Sequence, residues 1–204
     1  MNFIPVSHVK MDDPLWSKRF ELVRDVVLPY MWDILNDCVE NAEKSHCIEN
    51  FKIAAGKSSE KFYGAVFVDT DLYKWIEAVS YLLSVEKNEA LEKRVDEAIN
   101  LIASAQQPDG YLNTYFIIVA PEKRWTNLME GHELYCAGHL IEGAVAHYQA
   151  TGKETFLTVA RRFADLIDQI FGRGKKRGYP GHPEIELALV RLYQVTHEER
   201  YLAL

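Results

Sequence analysis

Apolar residues recur at helical spacing along most of this chain, and the runs are separated by segments without any period. Phe20, Val23, Val26, Val27, Tyr30, Met31, Ile34 and Leu35 predict a helix over about 17–36, bent at Pro29. Leu72, Trp75, Ile76, Val79, Leu82 and Leu83 mark a second, with Asp69 as its N-cap. Leu91, Val95, Ala98, Ile99, Ile102 and Ala105 mark a third over about 89–106, broken by Pro108-Asp109-Gly110. The fourth, about 131–150, carries Leu134, Ala137, Ile141, Ala144, Val145 and Tyr148, and the fifth covers about 154–171. Pro183 suits the first turn of a sixth, since its missing N–H costs nothing there. Glu198-Glu199 opens a seventh. Residues 37–68 show no sustained period and read as a long connection, while Tyr111 to Ile118, aromatic and β-branched, reads as extended.

A repeat underlies the pattern. Tyr148-Gln149-Ala150-Thr151-Gly152-Lys153-Glu154-Thr155-Phe156-Leu157 aligns with Tyr193-Gln194-Val195-Thr196-His197-Glu198-Glu199-Arg200-Tyr201-Leu202. Tyr81 to Leu91 fits the same pattern with one inserted residue. Each copy ends one helix, turns tightly and starts the next. One such hairpin cannot bury its apolar face alone, so the pattern implies an all-α solenoid or closed α/α toroid. The long connections 37–68, 107–130 and 172–182 then fall at the opposite end from the tight turns, where a site would be built.

Composition narrows the classes. With 48% apolar and 26% charged residues the 204-residue chain is globular, not disordered. A net charge of -7 and a single basic cluster, Arg173 to Arg177, argue against a nucleic-acid partner. No apolar run reaches membrane-spanning length and the first ten residues lack the order of a signal peptide. Cys38, Cys47 and Cys136 are odd in number and lack framework spacing, so a reducing cytoplasm is the expected compartment.

Candidate chemistry gathers at Glu130 to Glu142. His132 and Cys136 stand at i and i+4 around Glu133, as in the zincin helix, but Cys136 occupies the second histidine position. Together with His139 they could bind zinc, although no partner cluster accompanies them, and no metal site is assigned to the chain. His132 and His182 both stand after a long loop at the start of a helix, at equivalent points of successive hairpins. In a toroid both would face one cavity, where imidazole can donate to and accept from sugar hydroxyls. Helix capping or loop packing explains them equally well. Asp69, Asp71, Glu130 and Glu133 could supply paired carboxylates for glycoside hydrolysis, but their plainest role is negative charge at helix N-termini.

Several segments together resemble glycoside hydrolase family 127, the β-L-arabinofuranosidases once catalogued as a domain of unknown function. They are His132-Glu133-Leu134-Tyr135 with Gly138-His139, Tyr179 to Leu189, Pro29-Tyr30-Met31-Trp32, Phe51 to Gly56, Asp71-Leu72-Tyr73-Lys74-Trp75 and Gln106 to Leu112. The resemblance runs through nearly all 204 residues in order. It implies that residues 1–204 are the amino-terminal portion of an (α/α)6 toroid. It also implies a retaining hydrolase of terminal β-L-arabinofuranosides, with a cysteine nucleophile on a zinc site and a glutamate acid/base. None of Cys38, Cys47 and Cys136 matches that nucleophile in position, so nucleophile, acid/base and zinc ligands are expected beyond Leu204. This chain alone is then expected to be inactive and to need no cofactor, zinc belonging to the full-length protein. His132 and His182 inherit the sugar-holding role, whereas Cys136 and His139 are expected to pack. A chain stopping about six residues into an apolar helix start reads as a fragment, with apolar helix faces free to self-associate. The alternatives are a non-catalytic helical-repeat module binding sugar or protein, and an unsaturated-uronyl hydrolase or epimerase on the same toroid.

Overall fold

A computed structural model describes residues 4–204. Among them every regular element is helical. In chain order these are α1 (Pro14–Leu22), α2 (Leu28–Leu35), α3 (Cys47–Ala54), α4 (Asp69–Val85), α5 (Glu89–Ala105), α6 (Thr114–Ile118), α7 (Glu133–Thr151), α8 (Thr155–Phe171), α9 (Glu184–Thr196) and α10 (Glu199–Ala203).

α1 and α2 run on through one wide turn, Val23–Val27, of π geometry, in which the Leu28 N–H reaches back to the Val23 carbonyl. Pro29 has no N–H for the Asp25 carbonyl and its ring would crowd it, so the helix widens one turn ahead of the proline.

Two rows of helices pack against each other. α4, α7 and α9 lie side by side as the inner row, with α2 packed on the flank of α4, and α3, α5, α8 and α10 form the outer one. α4, α7 and α9 are parallel, for Lys74 near the start of α4 bonds Tyr135 at the start of α7, and Arg191 late in α9 meets Tyr81 late in α4. α2 runs the other way, with Arg24 ahead of it bonding Glu86 at the far end of α4. Hairpin repeats in an inner and an outer row are part of an (α/α)6 toroid. α7, in the middle of the inner row, has neighbours on both flanks, and 13 of its residues are buried. The core is continuous and includes Tyr73, Tyr111, Phe51, Phe156 and Phe163.

The tight turns repeat down to single hydrogen bonds. Gly152 (φ 72) and His197 (φ 58) both end their helices in the left-handed region, donating to Tyr148 and Tyr193 carbonyls at 2.8 and 2.7 Å. Thr151 and Thr196 hydroxyls bond back to His147 and Leu192 carbonyls at 2.7 and 2.8 Å.

Three expectations need correction. Residues 37–68 contain α3, whose eight residues are too few to display a period although Ile48 and Phe51 enter the core. Residues 114–118 are helical rather than extended, because Asn113 accepts from the Phe116 N–H and starts a turn despite the β-branched content. Asp69 is not an N-cap. Val68 holds that position without a side-chain bond, and the Asp69 carboxylate is taken up elsewhere.

Candidate functional site at the starts of the inner helices

Two glycines let the inner helix starts come together. A Cβ on Gly138 would stand 2.7 Å from Glu184 Cγ and 3.0 Å from the Glu184 carbonyl carbon, so α9 begins directly on α7 only because position 138 is bare. Gly181 likewise lies against the Met129 backbone, where a Cβ would be 2.7 Å from its carbonyl oxygen. The segment before α9 thus packs on the segment before α7, and the two histidines that follow them arrive at one ring, Tyr135.

His132 is the N-cap of α7, in the left-handed region (φ 54). Its ring lies 5.1 Å from Phe67 and 5.7 Å from Tyr135. His182 packs on Tyr135 at 4.9 Å, and His139 on the same ring at 4.6 Å. Tyr135 is therefore the pivot of the cluster, and Lys74 Nζ donates to its hydroxyl at 2.9 Å. Tyr135, Phe67 and Lys74 were not singled out as site residues. The spacing 132, 135 and 139 on one helix face was their available signal; Phe67 follows a segment with no period.

The hydrogen bonds assign the tautomers. His132 Nδ1 meets the Glu130 carbonyl at 2.9 Å; a carbonyl only accepts, so Nδ1 carries the hydrogen and neutral His132 keeps Nε2 as an acceptor. His182 Nδ1 accepts from the Glu184 N–H at 3.2 Å, so neutral His182 carries its hydrogen on Nε2 as a donor. One acceptor and one donor flank one aromatic ring.

His139 packs, as expected, against the edge of Tyr135. It is half-buried at the cluster, with Nδ1 3.3 Å from Glu184 Oε1 but without hydrogen-bond geometry. Burial first, then the Lys74 and His182 charges, lower it to about 4, so this contact is not an ion pair near neutrality. Burial likewise raises the Glu184 carboxyl above its usual range. Cys136 is 1% exposed, and burial pushes its thiol well up, away from the thiolate form. Among the described residues no three His, Cys, Asp or Glu side chains are grouped to hold a metal ion. The zinc implied by the resemblance finds no ligand set among the described residues.

The first-turn carboxylates have structural partners. Asp69, 1% exposed, accepts from both the Thr114 N–H and hydroxyl, and burial raises it to about 6. Glu133, fully buried, accepts from the Tyr111 hydroxyl and, at 2.7 Å, from the Trp125 N–H; burial raises it too. Both hold the 107–130 connection onto the helix starts. Asp71 and Glu130 are exposed. Below the cluster, Arg191 of α9 bonds Glu142 of α7 and Tyr81 of α4, with Glu77 at 3.6 Å, tying three inner helices together. No helix among the described residues is long and apolar enough to cross a membrane.

Residues 8–204 match the family profile described as beta-L-arabinofuranosidase, GH127 catalytic domain. A non-reducing end beta-L-arabinofuranosidase of Bifidobacterium longum subsp. longum is 41% identical over 97% of this chain, which spans 33% of that relative. The crystal structure of a GH127 beta-L-arabinofuranosidase from Geobacillus stearothermophilus T6 superposes with a TM-score of 0.94 at 55% identity, over 96% of this chain and 31% of the other. A second solved structure, a GH127 beta-arabinofuranosidase, gives 0.88 at 38% identity over 98% of this chain and 32% of the other. This chain spans about a third of the length of each of these relatives. Family profile, sequence relative and fold agree along nearly the whole chain, which belongs to glycoside hydrolase family 127 and lies within its catalytic domain.

Proposed function

We propose that this chain forms the sugar-holding part of a hydrolase that removes terminal β-L-arabinofuranosyl groups with retention, and that His132 and His182 hold the sugar. The observation that carries this reading is the placement of two imidazoles on one tyrosine ring with complementary free nitrogens. A sugar hydroxyl can donate to His132 Nε2 while another accepts from His182 Nε2–H. The half-buried His139 and the exposed Lys74 complete a polar wall beside an aromatic face, a usual composition for a polar ligand site.

The nucleophile, the acid/base and the zinc ligands are assigned to sequence following Leu204. Cys47 and Cys136 are buried with their thiols pushed well up, and Asp69 and Glu133 are committed to loop anchoring. The 204 residues by themselves should hold the sugar without turning it over.

The test is a titration of the chain with L-arabinose, followed by histidine ring resonances. His132→Ala or His182→Ala should each weaken binding by about three- to tenfold, the worth of one net hydrogen bond. Unchanged affinity in both variants would falsify the assignment. Release of p-nitrophenol from the β-L-arabinofuranoside by the isolated chain, at a rate comparable to a full-length relative, would refute the placement of the catalytic groups.

A further inference from the structure

Beyond the histidine pair, the connection between α2 and α4 holds a second set of side chains in fixed positions with no core to serve. Asn50 is wholly buried, and its amide brackets the Tyr63 backbone: Nδ2 donates to the Tyr63 carbonyl at 2.8 Å and Oδ1 accepts its N–H at 3.2 Å. The peptide is locked, yet the Tyr63 ring is 50% exposed. Beside it stands His46, whose N–H and Nδ1 both bond the Asp37 carboxylate, at 2.9 and 3.1 Å. Its ring meets Tyr63 edge-on at 6.0 Å. Asp37, Asn41 and His46 all adopt positive φ (58, 62 and 57), a region these residue types enter more readily than others with a Cβ. The two rings wall a hollow of about 540 Å³, rimmed by Lys44, Ser59, Glu60 and Lys61. An adjoining hollow of about 580 Å³ shares Lys44 and Tyr63 and reaches Asp71 on the first turn of α4.

The chain that walls these hollows runs on to the histidine pair. Four residues after Tyr63, Phe67 packs on His132. One turn after Asp71, Lys74 holds the Tyr135 hydroxyl.

We propose that the His46–Tyr63 hollow is a second saccharide subsite, which takes the sugar ring linked to the terminal arabinofuranosyl group. The proposal rests on the histidine pair holding that terminal group. A pinned aromatic face, an imidazole with one nitrogen uncommitted and a rim of lysine and glutamate suit a polyhydroxylated ring: apolar C–H face on tyrosine, hydroxyls on the rim. The volume falls in the range of small-ligand pockets.

The test compares L-arabinose with a β-L-arabinofuranosyl disaccharide by NMR titration of the 204-residue chain. The monosaccharide should move the His132 and His182 rings and leave Tyr63 and His46 unmoved; the disaccharide should move all four. Tyr63→Ala, which keeps the backbone that Asn50 holds, should weaken the disaccharide about tenfold and leave arabinose unchanged. His132→Ala should weaken both. If Tyr63→Ala affects neither sugar, or both equally, while His132→Ala weakens both, the second subsite is wrong and the histidine reading stands. If His132→Ala and His182→Ala change neither, the histidine reading fails and the subsite falls with it. An unsubstituted chain that binds neither sugar overturns both.

Discussion

Replacing Gly138 by alanine separates two opposed effects whose balance can be worked from the structure. In the interior of an exposed helix, Gly→Ala stabilises by about 1 kcal/mol, because alanine loses less backbone freedom on folding. At position 138 the new methyl would lie 2.7 Å from Glu184 Cγ and 3.0 Å from both the Glu184 carbonyl carbon and the Ile185 nitrogen. Carbon contacts are comfortable at about 3.5–4.0 Å, so the start of α9 would have to retreat by about 0.5–1 Å. The side-chain carbon could swing aside; the two backbone atoms cannot. Overpacking of this kind costs about 1–3 kcal/mol. Steric cost exceeds propensity gain, leaving a net loss of about 0–2 kcal/mol, or a Tm lower by about 2–4 °C for each kcal/mol in a chain of this size. The retreat also draws His182 from Tyr135, since both ride on the segments that Gly138 brings together. Thermal unfolding gives the first quantity and the ring-current shift of His182 the second. A Tm that rises by about 2–4 °C with an unshifted His182 resonance is the signature of an unhindered glycine, and it would refute the claim that position 138 sets the α7–α9 approach.

Other consequences are as direct. Burial raises the Asp69 pKa to about 6, above the value near 4 of an unfolded chain, so the folded state binds the extra proton. Asp69 therefore contributes stability that is fully present below about pH 4 and is lost as pH rises through about 6. Asp69→Asn should flatten that part of the urea-stability profile between pH 4 and 7, and a profile identical to the parent's removes Asp69 as its source. Glu133→Ala leaves the Trp125 N–H without its acceptor and the Tyr111 hydroxyl unpaired in the interior, for a loss of about 2–6 kcal/mol by chemical denaturation. A loss under about 1 kcal/mol would mean that the connection is held otherwise. Arg191→Ala strands Glu142, 4% exposed, beside Glu77, and should cost about 3–5 kcal/mol, with part of the loss recovered at acid pH as the carboxylates protonate. Equal losses at pH 5 and pH 7.5 would argue that packing, not charge, is what Arg191 supplies.

What could be read in the chain divides along a physical line. Helical period reports burial of one face over several turns, so α4, α5, α7 and α8 were legible to within about two residues at each end. The repeat added the tight turns, where Gly152 and His197 carry out the same left-handed cap with different residues. α3 and α6, at eight and five residues, are too short to show a period, and their starts depend on contacts made by single side chains such as Asn113. The histidines were legible because they open inner helices. Tyr135 was harder, since it lies outside the apolar stripe and a single tyrosine there says nothing until Lys74 and three imidazoles are seen around it. The Asp37–His46 and Asn50–Tyr63 pairings had no signal at all. They join residues 9 and 13 apart across irregular backbone.

All three central inner helices begin with an acid, Asp69 on α4, Glu133 on α7 and Glu184 on α9, and the position means two different things. A negative charge there is favoured by the exposed N–H groups of the first turn in every case. In α4 and α7 the 107–130 connection folds back over the helix start, so Thr114 and Trp125 reach the carboxylates and water is excluded. The acid then becomes an anchor and its pKa rises with burial. No such connection covers the start of α9 among the described residues. Glu184 stays half-buried, next to His139 and following His182, with no side-chain hydrogen bond. The same first-turn acid is thus structural where a loop covers it and is left facing the imidazoles where none does. That difference, more than residue type, separates the scaffold of this half-ring from its candidate site.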